Sequence, residues 1–480
     1  MDSRLSARAL VDLLGLWRTG DAAYDALADA IRLLCLDNRI APETALPAER
    51  ELAVALGVSR TTVAAAYRGL RTTGHIASRR GSGSVTRALG RGASARWFDQ
   101  DGIDLQQASP PAWPGLPGVV AEIAGQSTAL VSRSGYDILG TLELRAAIAE
   151  RYTRAGLRTG PAEIMVVNGA QHALSLIAAT LLRRADRVLI ETPTYPHAAE
   201  AFRRSGSRLV AVPVTTADGW DLDRAEQAFA RARPVLAYTM PDFQNPTGRS
   251  MSSAERAAFA RYAHDAGSIL LIDETTAELD IDRTDRPDPF GPGVAAIRVG
   301  SLGKTVWGGL RIGWIRADAE LIRRLRAARA SHDLGTPDLE QAIAARVVPQ
   351  LDEILPQRSA LLRAGRDALA TALAAELPEW SVPEAHGGVS LWVGLGAPLS
   401  SALVIDAAQH GLHLSAGPRF AVGGGHERHL RIPFTTEPRE LERAVEILAA
   451  SWRRISAQAA PSGSAEPEGS AVSGLAEAIV

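Results

Sequence analysis

Lys304 is the single lysine of the 480-residue chain, so all the other Lys and Arg positions are arginine. Imine chemistry with an aldehyde cofactor requires a primary amine, which the permanently charged guanidinium of arginine cannot supply. Lys304 closes a Ser-Leu-Gly-Lys sequence that follows the apolar run 295–299, and Arg311 stands seven residues later. Codon bias explains the many arginines, but it does not explain why the one lysine lies in this Ser-Leu-Gly-Lys sequence with an arginine seven residues later. We therefore interpret Lys304 as a candidate covalent anchor and catalytic residue.

Three further residues have the chemistry that a pyridine-ring cofactor needs. Asp273 follows the apolar stretch 268–272 and could keep a ring nitrogen protonated, and Asn245 in a Gln-Asn-Pro-Thr-Gly turn could donate to a phenolate oxygen. Tyr195, within Thr-Pro-Thr-Tyr-Pro, could stack on the ring. Each has an ordinary alternative, namely a helix cap, a common turn sequence and loop packing. Together with Lys304 they match pyridoxal 5'-phosphate.

The phosphate of that cofactor needs a helix N-terminus with cationic or hydroxyl partners. Gly169, Ala170 and Gln171 open a predicted helix directly after a predicted strand. Ser301 and Arg311, on either side of the lysine, could add a hydroxyl and a guanidinium. The sequence therefore predicts a cofactor site assembled from distant parts of the chain.

Composition predicts more than one globular unit. A chain of 480 residues with 46% hydrophobic content can bury at least two cores. The formal net charge of −2 gives no overall attraction to polyanions, so a nucleic-acid surface must be a local patch. One cysteine, Cys35, excludes an intramolecular disulfide and a thiolate metal cluster, and no metal site is predicted. Without a signal peptide or a spanning segment, we expect a cytoplasmic protein with no membrane partner.

Such a patch lies between residues 45 and 90, where seven arginines accompany only two glutamates. The pattern there predicts a helix ending at Gly57, a second helix over 60–73 capped by Ser59, and a Gly-tipped hairpin over 75–86. This order is typical of a winged helix-turn-helix that binds duplex DNA, although a solvated charged helix face is the ordinary alternative. The candidate DNA contacts are Arg50, Ser59, Arg60, Thr61, Thr62, Arg79, Arg80 and Gly81.

The sequences Leu-Pro-Ala-Glu-Arg-Glu-Leu-Ala from Leu46, Gly-Val-Ser-Arg-Thr-Thr-Val from Gly57 and Arg-Gly-Ser-Gly-Ser from Arg80 closely resemble the GntR class of bacterial repressors. In that class the arginine matching Arg50 and the residues matching 59–62 touch operator DNA. The resemblance therefore implies a DNA-binding role for these positions.

Residues 116–455 resemble the fold-type I aminotransferases in the order of their motifs. The resemblance implies that Lys304 is linked to pyridoxal 5'-phosphate, that Tyr136 reaches the phosphate of a partner subunit, and that Arg431 grips a substrate carboxylate. One departure is Thr275, because that family commonly has a tyrosine two residues after the ring-pairing aspartate. A threonine is expected to donate to the phenolate oxygen less well or not at all, which weakens the case for full transaminase turnover.

Both resemblances together match the MocR subfamily of GntR-type transcription regulators over the whole chain. They imply a mainly α winged helix-turn-helix at 1–88 and an α/β PLP-dependent transferase of fold type I with a smaller α+β subdomain at 116–456. Composition rich in Gly, Ala, Ser and Pro predicts a linker at 89–115, and composition limited largely to Ala, Ser, Gly, Pro and Glu predicts a disordered tail at 457–480. The expected partners are double-stranded operator DNA, a second copy in a head-to-tail, domain-swapped homodimer, and a small amine or amino-acid effector.

Three functions remain open at this stage. The leading one is a transcription regulator that senses pyridoxal 5'-phosphate or an amino compound. The second is an active aminotransferase with an attached DNA-binding module, against which Thr275 argues mildly. The third is a DNA-binding protein with a cofactor-free companion domain, and the joint presence of Lys304, Asp273, Asn245 and Arg311 argues against it.

Overall fold

The computed structural model describes residues 4–15, 17–18, 23–36, 39–41, 43–73, 75–79, 83–87, 102–132, 134–283, 287 and 295–459. Its first unit, the DNA module, comprises the described residues from 4 to 87. The elements of the DNA module are α1 (Ala7–Leu14), α2 (Ala23–Leu36), α3 (Glu49–Leu56), α4 (Arg60–Thr72), β1 (Ile76–Arg79) and β2 (Gly83–Thr86).

The helix-turn-helix of the DNA module forms where the sequence predicts it. Gly57 ends α3 in the left-handed region with φ 65°, where a residue without a Cβ is not strained. Ser59 caps α4, because its Oγ accepts a hydrogen bond from the backbone N–H of Thr62 at 3.1 Å. Strands β1 and β2 pair antiparallel as the wing. The core beneath these elements includes the fully buried Leu52 and Val63.

An α/β unit with a mixed sheet follows. The strands are β4 (Ile164–Val167), β5 (Arg187–Thr192), β6 (Arg208–Thr215), β7 (Gly219–Trp220), β8 (Leu236–Thr239), β9 (Ile269–Asp273), β10 (Ala296–Ser301) and β11 (Gly313–Arg316). These described strands form an eight-stranded sheet in the order β4-β11-β10-β9-β8-β5-β6-β7, and the central neighbours from β10 to β6 pair in parallel. The helices are α5 (Leu116–Gly125), α6 (Ser127–Val131), α7 (Leu142–Arg154), α8 (Ala170–Leu181), α9 (Pro196–Arg204), α10 (Leu222–Ala232), α11 (Ser253–Ala266), α12 (Ala319–Arg329) and α13 (Asp338–Val347).

Apolar side chains cover both faces of this sheet, as its nearly continuous apolar strands predict. Leu271, Ile297 and Ile315 are fully buried in one cluster, whereas Leu270 and Ile272, the alternate residues of β9, belong to another. Since successive strand residues point to opposite faces, one strand contributes to both cores. The predicted α/β fold class is confirmed.

The small subdomain is a three-stranded sheet with three helices against it. Its elements are β12 (Ser390–Gly394), β14 (Ser415–Ala416), β15 (His429–Pro433), α14 (Leu351–Glu376), α15 (Ser400–Gln409) and α16 (Pro438–Ala459). Helix α16 reaches into the tail expected from residue 457, and residues 460–480 lie outside the described residues. No helix in the described part of the chain combines the length and the apolar character that crossing a bilayer requires.

Part of the expected linker is built into the small subdomain. Strand β3 (Ile103–Asp104) pairs in parallel with β13 (Leu412–His413), and Leu105 and Ala108 are buried in the same core. We call residues 103–108 the bridging segment. Composition rich in Pro and Gly suggested a linker over 89–115, but the alternation of apolar and polar side chains from 103 to 106 favours a strand edge. Residues 88–101 lie outside the described residues.

The DNA module contacts the small subdomain of its own chain. Helix α2 packs on α15, with Leu33 against the small-subdomain core. At the end of α1, Gly15 lies directly beside Gly424. The DNA module therefore touches the large part of the chain through packed side chains and backbone as well as through the connecting segment.

Candidate functional site

A cavity of about 670 Å³ lies at the carboxyl ends of β8, β9 and β10. Parallel strands end at one edge of a sheet, so residues far apart in sequence meet there. We call it the ligand cavity. It brings together the predicted residues Gly169, Ala170, Gln171, Tyr195, Asn245, Asp273, Thr275, Ser301, Lys304, Arg311 and Arg431.

Lys304 lies in a short π-helix, Gly303–Trp307, that follows β10. Its Nζ donates a hydrogen bond to the backbone carbonyl of Ala108 in the bridging segment. Burial, and then the positive charge of Arg431, lower the pKa of Lys304 to about 8. About a tenth of this side chain is therefore a neutral amine, the nucleophilic form, at pH 7.

Asp273 is a buried carboxylate, only 2% exposed, at the end of β9. It accepts hydrogen bonds from the Tyr238 hydroxyl at 2.8 Å and from the Thr275 hydroxyl and backbone N–H at 2.7 and 3.0 Å. Burial raises the pKa of Asp273, although these hydrogen bonds oppose the rise. No cationic side chain of the described residues pairs with it, and the hydroxyl of Thr275 is directed to Asp273. The carboxylate thus suits a positively charged ligand group.

Two amide side chains in the ligand cavity have buried oxygens without a partner in the described chain. These atoms are Asn245 Oδ1 and Gln171 Oε1, although Gln171 Nε2 donates to the His197 carbonyl at 3.1 Å. The Asn245 turn is held by its neighbour Gln244, whose Nε2 donates to the carbonyl of Pro193 at 2.7 Å. Unsatisfied buried amides are costly, so both favour a polar ligand.

One end of the ligand cavity has the features of an anion site. Gly169 precedes α8 with φ 85°, and a Cβ there would lie 3.0 Å from Nη2 of Arg311. That guanidinium donates to the Asn168 carbonyl at 3.0 Å. Ser301 Oγ donates to the carbonyl of Ile312 at 3.1 Å, beside the same helix start. The backbone N–H groups of α8 and a guanidinium converge here, as anion binding requires.

Arg431 is buried in β15 and lines the ligand cavity. Its Nη2 donates to the backbone carbonyl of Gln106, and its Cζ lies 4.9 Å from the centroid of the Phe420 ring. Its Nε is buried without a partner among the described residues. Burial lowers the pKa of Arg431 to about 10. A buried guanidinium with unused donor capacity suits a carboxylate ligand.

Tyr195 and Tyr136, two predicted cofactor residues, have different surroundings. Tyr195 lines the ligand cavity, and its ring is edge-on to that of His197 with 5.4 Å between the ring centroids. Burial raises the pKa of Tyr195 to about 12. Tyr136 is 71% exposed and stands apart from the cavity of its own chain. A role for Tyr136 therefore depends on a second subunit.

Sequence reasoning missed several residues of the ligand cavity and its support. The bridging segment contributes backbone carbonyls at residues 106 and 108, and such contacts leave no trace in side-chain type. Tyr238 could have been found, because it carries a hydroxyl near the end of an apolar stretch that forms β8, the strand beside β9. Phe420 follows a Gly-Pro-Arg turn that carries no recognisable motif.

The second candidate site is an open groove of about 870 Å³ between the helix-turn-helix and the wing, which we call the DNA-facing groove. Arg50, Arg60 and Arg79 line it as expected, and so do Arg4 and Arg71, which the sequence analysis did not select. The remaining predicted contacts fall in two groups. Ser59, Thr61 and Thr62 lie at the start of α4, and Arg80 and Gly81 lie outside the described residues.

Comparison with known proteins places both regions in families. The family "Aminotransferase class I and II" matches residues 122–448, and "Bacterial regulatory proteins, gntR family" matches residues 23–85. The 2-aminoadipate transaminase of Thermus thermophilus is 32% identical over 63% of this chain and 76% of its own length. The uncharacterized HTH-type transcriptional regulator YdfD of Bacillus subtilis is 28% identical over 79% of this chain and 86% of its own.

Solved structures agree with that assignment. The crystal structure of LysN, an alpha-aminoadipate aminotransferase from Thermus thermophilus complexed with N-(5'-phosphopyridoxyl)-L-leucine, has a TM-score of 0.69 and 27% identity. The match covers 77% of this chain and 98% of LysN. With the winged helix-turn-helix in front of an aminotransferase domain, and with regulators matching across both, the chain belongs to the MocR subfamily of GntR-type transcription regulators.

Proposed function

We propose that the protein is a DNA-binding regulator whose ligand cavity binds pyridoxal 5'-phosphate through Lys304 and senses the cofactor or an amino compound. One observation carries the proposal. Lys304 and Arg431, the amine and the guanidinium of the ligand cavity, both donate to backbone carbonyls of the bridging segment. This segment is the part of the chain that leads from the DNA module into the large unit.

The residues present fit the cofactor. Asp273 is a buried carboxylate lacking a cationic partner in the described chain, and it would face the ring nitrogen. The amide Nδ2 of Asn245 would donate to the phenolate oxygen, and Gly169 with Arg311 would hold the phosphate. Ala170, Gln171 and Ser301 border the same end. When bound, pyridoxal 5'-phosphate supplies an aldehyde for a primary amine and a ring that withdraws electrons.

Occupancy of the ligand cavity changes the contacts of the bridging segment. Lys304 would lose its hydrogen bond to Ala108 if its Nζ held the cofactor, whereas the Nε of Arg431, which has no partner among the described residues, is free for a carboxylate beside the Nη2 that donates to Gln106. A hydrogen bond from a charged group contributes about 1.5–3 kcal/mol. This difference between the free and bound states is what a ligand needs in order to shift a conformational equilibrium.

The homodimer is also part of the proposal. Val131, Tyr136, Leu142, Leu334 and Leu339 are between 45% and 78% exposed. Val131 lies in α6, Leu142 lies in α7 and Tyr136 lies between these helices. Leu339 lies in α13, and Leu334 precedes it. Both α6 and α7 pack against α13. Exposed apolar side chains on neighbouring helices favour a protein interface. A second copy there would also give Tyr136 a role, while exchange of DNA modules between subunits stays a prediction.

The test is one titration of the full-length protein against duplex DNA from upstream of its own gene. DNA affinity is measured with and without pyridoxal 5'-phosphate, and then with a panel of amines and amino acids. We expect the cofactor to change the affinity, and Lys304→Arg to abolish both that change and the visible absorbance of the bound cofactor. Lys304→Arg keeps the positive charge but lacks a primary amine. A variant that still responds to the cofactor with unchanged absorbance contradicts the proposal.

An active aminotransferase is the second candidate, and the 32% identity to a transaminase favours it. The measurement that separates the two is steady release of keto acid from an amino donor in the absence of DNA. Turnover that continues through many cycles favours the enzyme. Release of no more than one equivalent per subunit favours the regulator.

A further inference from the structure

We propose that Arg4 of the DNA module contacts a DNA phosphate. It belongs to residues 4–6, which we call the N-terminal arm and which precede the GntR-matched region. That region begins at residue 23, so Arg4 and α1 lie outside it. The proposal rests on DNA binding by the module and is independent of the cofactor. The role of Arg4 would therefore be the same if the regulator bound no pyridoxal 5'-phosphate.

Arg4 is held beside the wing by backbone pairing. It forms a parallel bridge with Ala45, and the following N–H, that of Leu5, donates to the Ala45 carbonyl at 2.9 Å. Ala45 in turn forms an antiparallel bridge with Val85 of β2. The arm thus extends the wing by one more paired segment. Its side chain at position 4 is exposed and lines the DNA-facing groove.

Helix α1 fixes the arm in this position. Ser6 caps α1, with its Oγ accepting from the backbone N–H of Ala9 at 3.1 Å. Leu10, which is fully buried, and Leu14 anchor α1 in the core of the DNA module. A contact from an anchored residue loses less conformational entropy on binding than one from a free terminus. The arm is therefore part of the DNA-facing groove before DNA arrives.

The charges of the groove favour an anionic partner. Arg79 lies 3.3 Å from Glu43, and Arg60 and Arg71 each lie 3.8 Å from Glu49. Arg4 and Arg50 line the same groove, and no carboxylate of the described residues pairs with either. Guanidinium groups without a carboxylate in an open groove bind phosphate oxygens, frequently through two hydrogen bonds.

Arg8 provides a matched control. It is an exposed arginine on α1, four residues after Arg4 in the sequence, and it does not line the DNA-facing groove. Arg4→Ala and Arg8→Ala remove the same charge from neighbouring positions. Arg4→Lys keeps the charge, and the backbone bridge to Ala45 does not depend on the side chain.

The experiment measures the affinity of the full-length protein for its own upstream duplex as a function of salt. Each lost phosphate contact reduces the slope of log K against log salt by about 0.9 and the affinity near 0.1 M salt by about eightfold. We expect this loss for Arg4→Ala, none for Arg8→Ala, and near wild-type behaviour for Arg4→Lys. An Arg4→Ala slope equal to wild type, an equal loss in both alanine variants, or an equal loss in Arg4→Lys overturns the proposal.

Discussion

The DNA-facing groove and the ligand cavity both depend on cationic side chains, but the surroundings of those side chains differ. In the groove Arg60 is exposed, with its side chain at 72%, and its nearest carboxylate, that of Glu49, is 3.8 Å away. In the cavity Arg431 is 6% exposed, and burial lowers its pKa to about 10. Exposed charges act over a distance and are screened by salt, whereas buried ones bind through short desolvated contacts. The groove suits a general polyanion, and the cavity suits one small ligand.

This contrast predicts that changes in the two regions are detected by different measurements. A groove substitution changes the salt dependence of DNA binding. A cavity substitution changes the response to small molecules and leaves the salt slope as it was. A cavity variant that alters the slope without any ligand would show that the two regions are not separable.

Arg431→Gln is expected to have the largest effect. Losing a charge-assisted hydrogen-bonding partner costs about 1.5–3 kcal/mol, so affinity for amino acids should fall roughly ten- to a hundredfold. An amine of the same side chain without the carboxylate should bind both proteins equally. Arg443→Gln, at an exposed position of α16, is the control. The measurement is the amino-acid concentration that gives half of the change in DNA affinity, and an equal loss for the amine would contradict the role of Arg431.

The pH dependence of cofactor uptake should be the next largest effect. With a pKa of about 8, the neutral fraction of Lys304 rises about fifteenfold between pH 6.5 and 8 and levels off above pH 9. A lysine of ordinary pKa would continue to gain neutral amine up to about pH 10.4. The rate at which cofactor absorbance develops after mixing, followed against pH, measures this.

Arg431→Gln supplies the control for the pH profile as well. The charge of Arg431 lowers the pKa of Lys304, so its removal should move the midpoint upward. Titrations of the cofactor itself are the same in both proteins and cancel in the comparison. A midpoint that moves downward or stays in place would show that Arg431 does not act on the amine.

The two regions also differ in how far the sequence predicted them. The helix-turn-helix is encoded locally, because Gly57 needs the left-handed region and Ser59 caps the next helix within two residues. Local turn and cap chemistry therefore located α3, α4 and the wing. The ligand cavity is assembled from residues between 106 and 431. Its predicted members could be identified from the sequence only because the cofactor requires the particular chemical group that each one carries.

What the sequence could not predict are contacts made by the backbone. The carbonyls of Gln106 and Ala108 reach Arg431 and Lys304 only once β3 has paired with β13. Thr275 was expected to donate to the phenolate oxygen less well than a tyrosine or not at all, and in the folded turn its hydroxyl donates to Asp273 at 2.7 Å. Arg4 likewise enters the groove through a backbone bridge.

Arg60→Ala tests the groove side of the contrast. Removing one phosphate contact should flatten the salt slope by about 0.9 and weaken binding about eightfold near 0.1 M salt, with the cofactor response unchanged. Arg68, also exposed on α4 but outside the lining of the groove, is the control. Affinity is measured by titration of labelled duplex at several salt concentrations. Equal slopes for the wild type and Arg60→Ala would exclude Arg60 as a contact.

Ser59 gives the smallest effect and separates stability from DNA contact at a single position. Its Oγ caps α4 at 3.1 Å from the Thr62 backbone nitrogen, so Ser59→Ala should lower the free energy of unfolding by about 1 kcal/mol. Ser59→Asp keeps a capping oxygen and adds a negative charge that is favourable at a helix N-terminus, so its stability should match the wild type. That same charge would face the DNA phosphates. Chemical denaturation and DNA titration of both variants should therefore diverge, with Asp stable but weak in binding. If the DNA affinities of the two variants instead change in parallel with their free energies of unfolding, Ser59 acts only as a helix cap, and the phosphate-facing surface of the groove begins at Arg60.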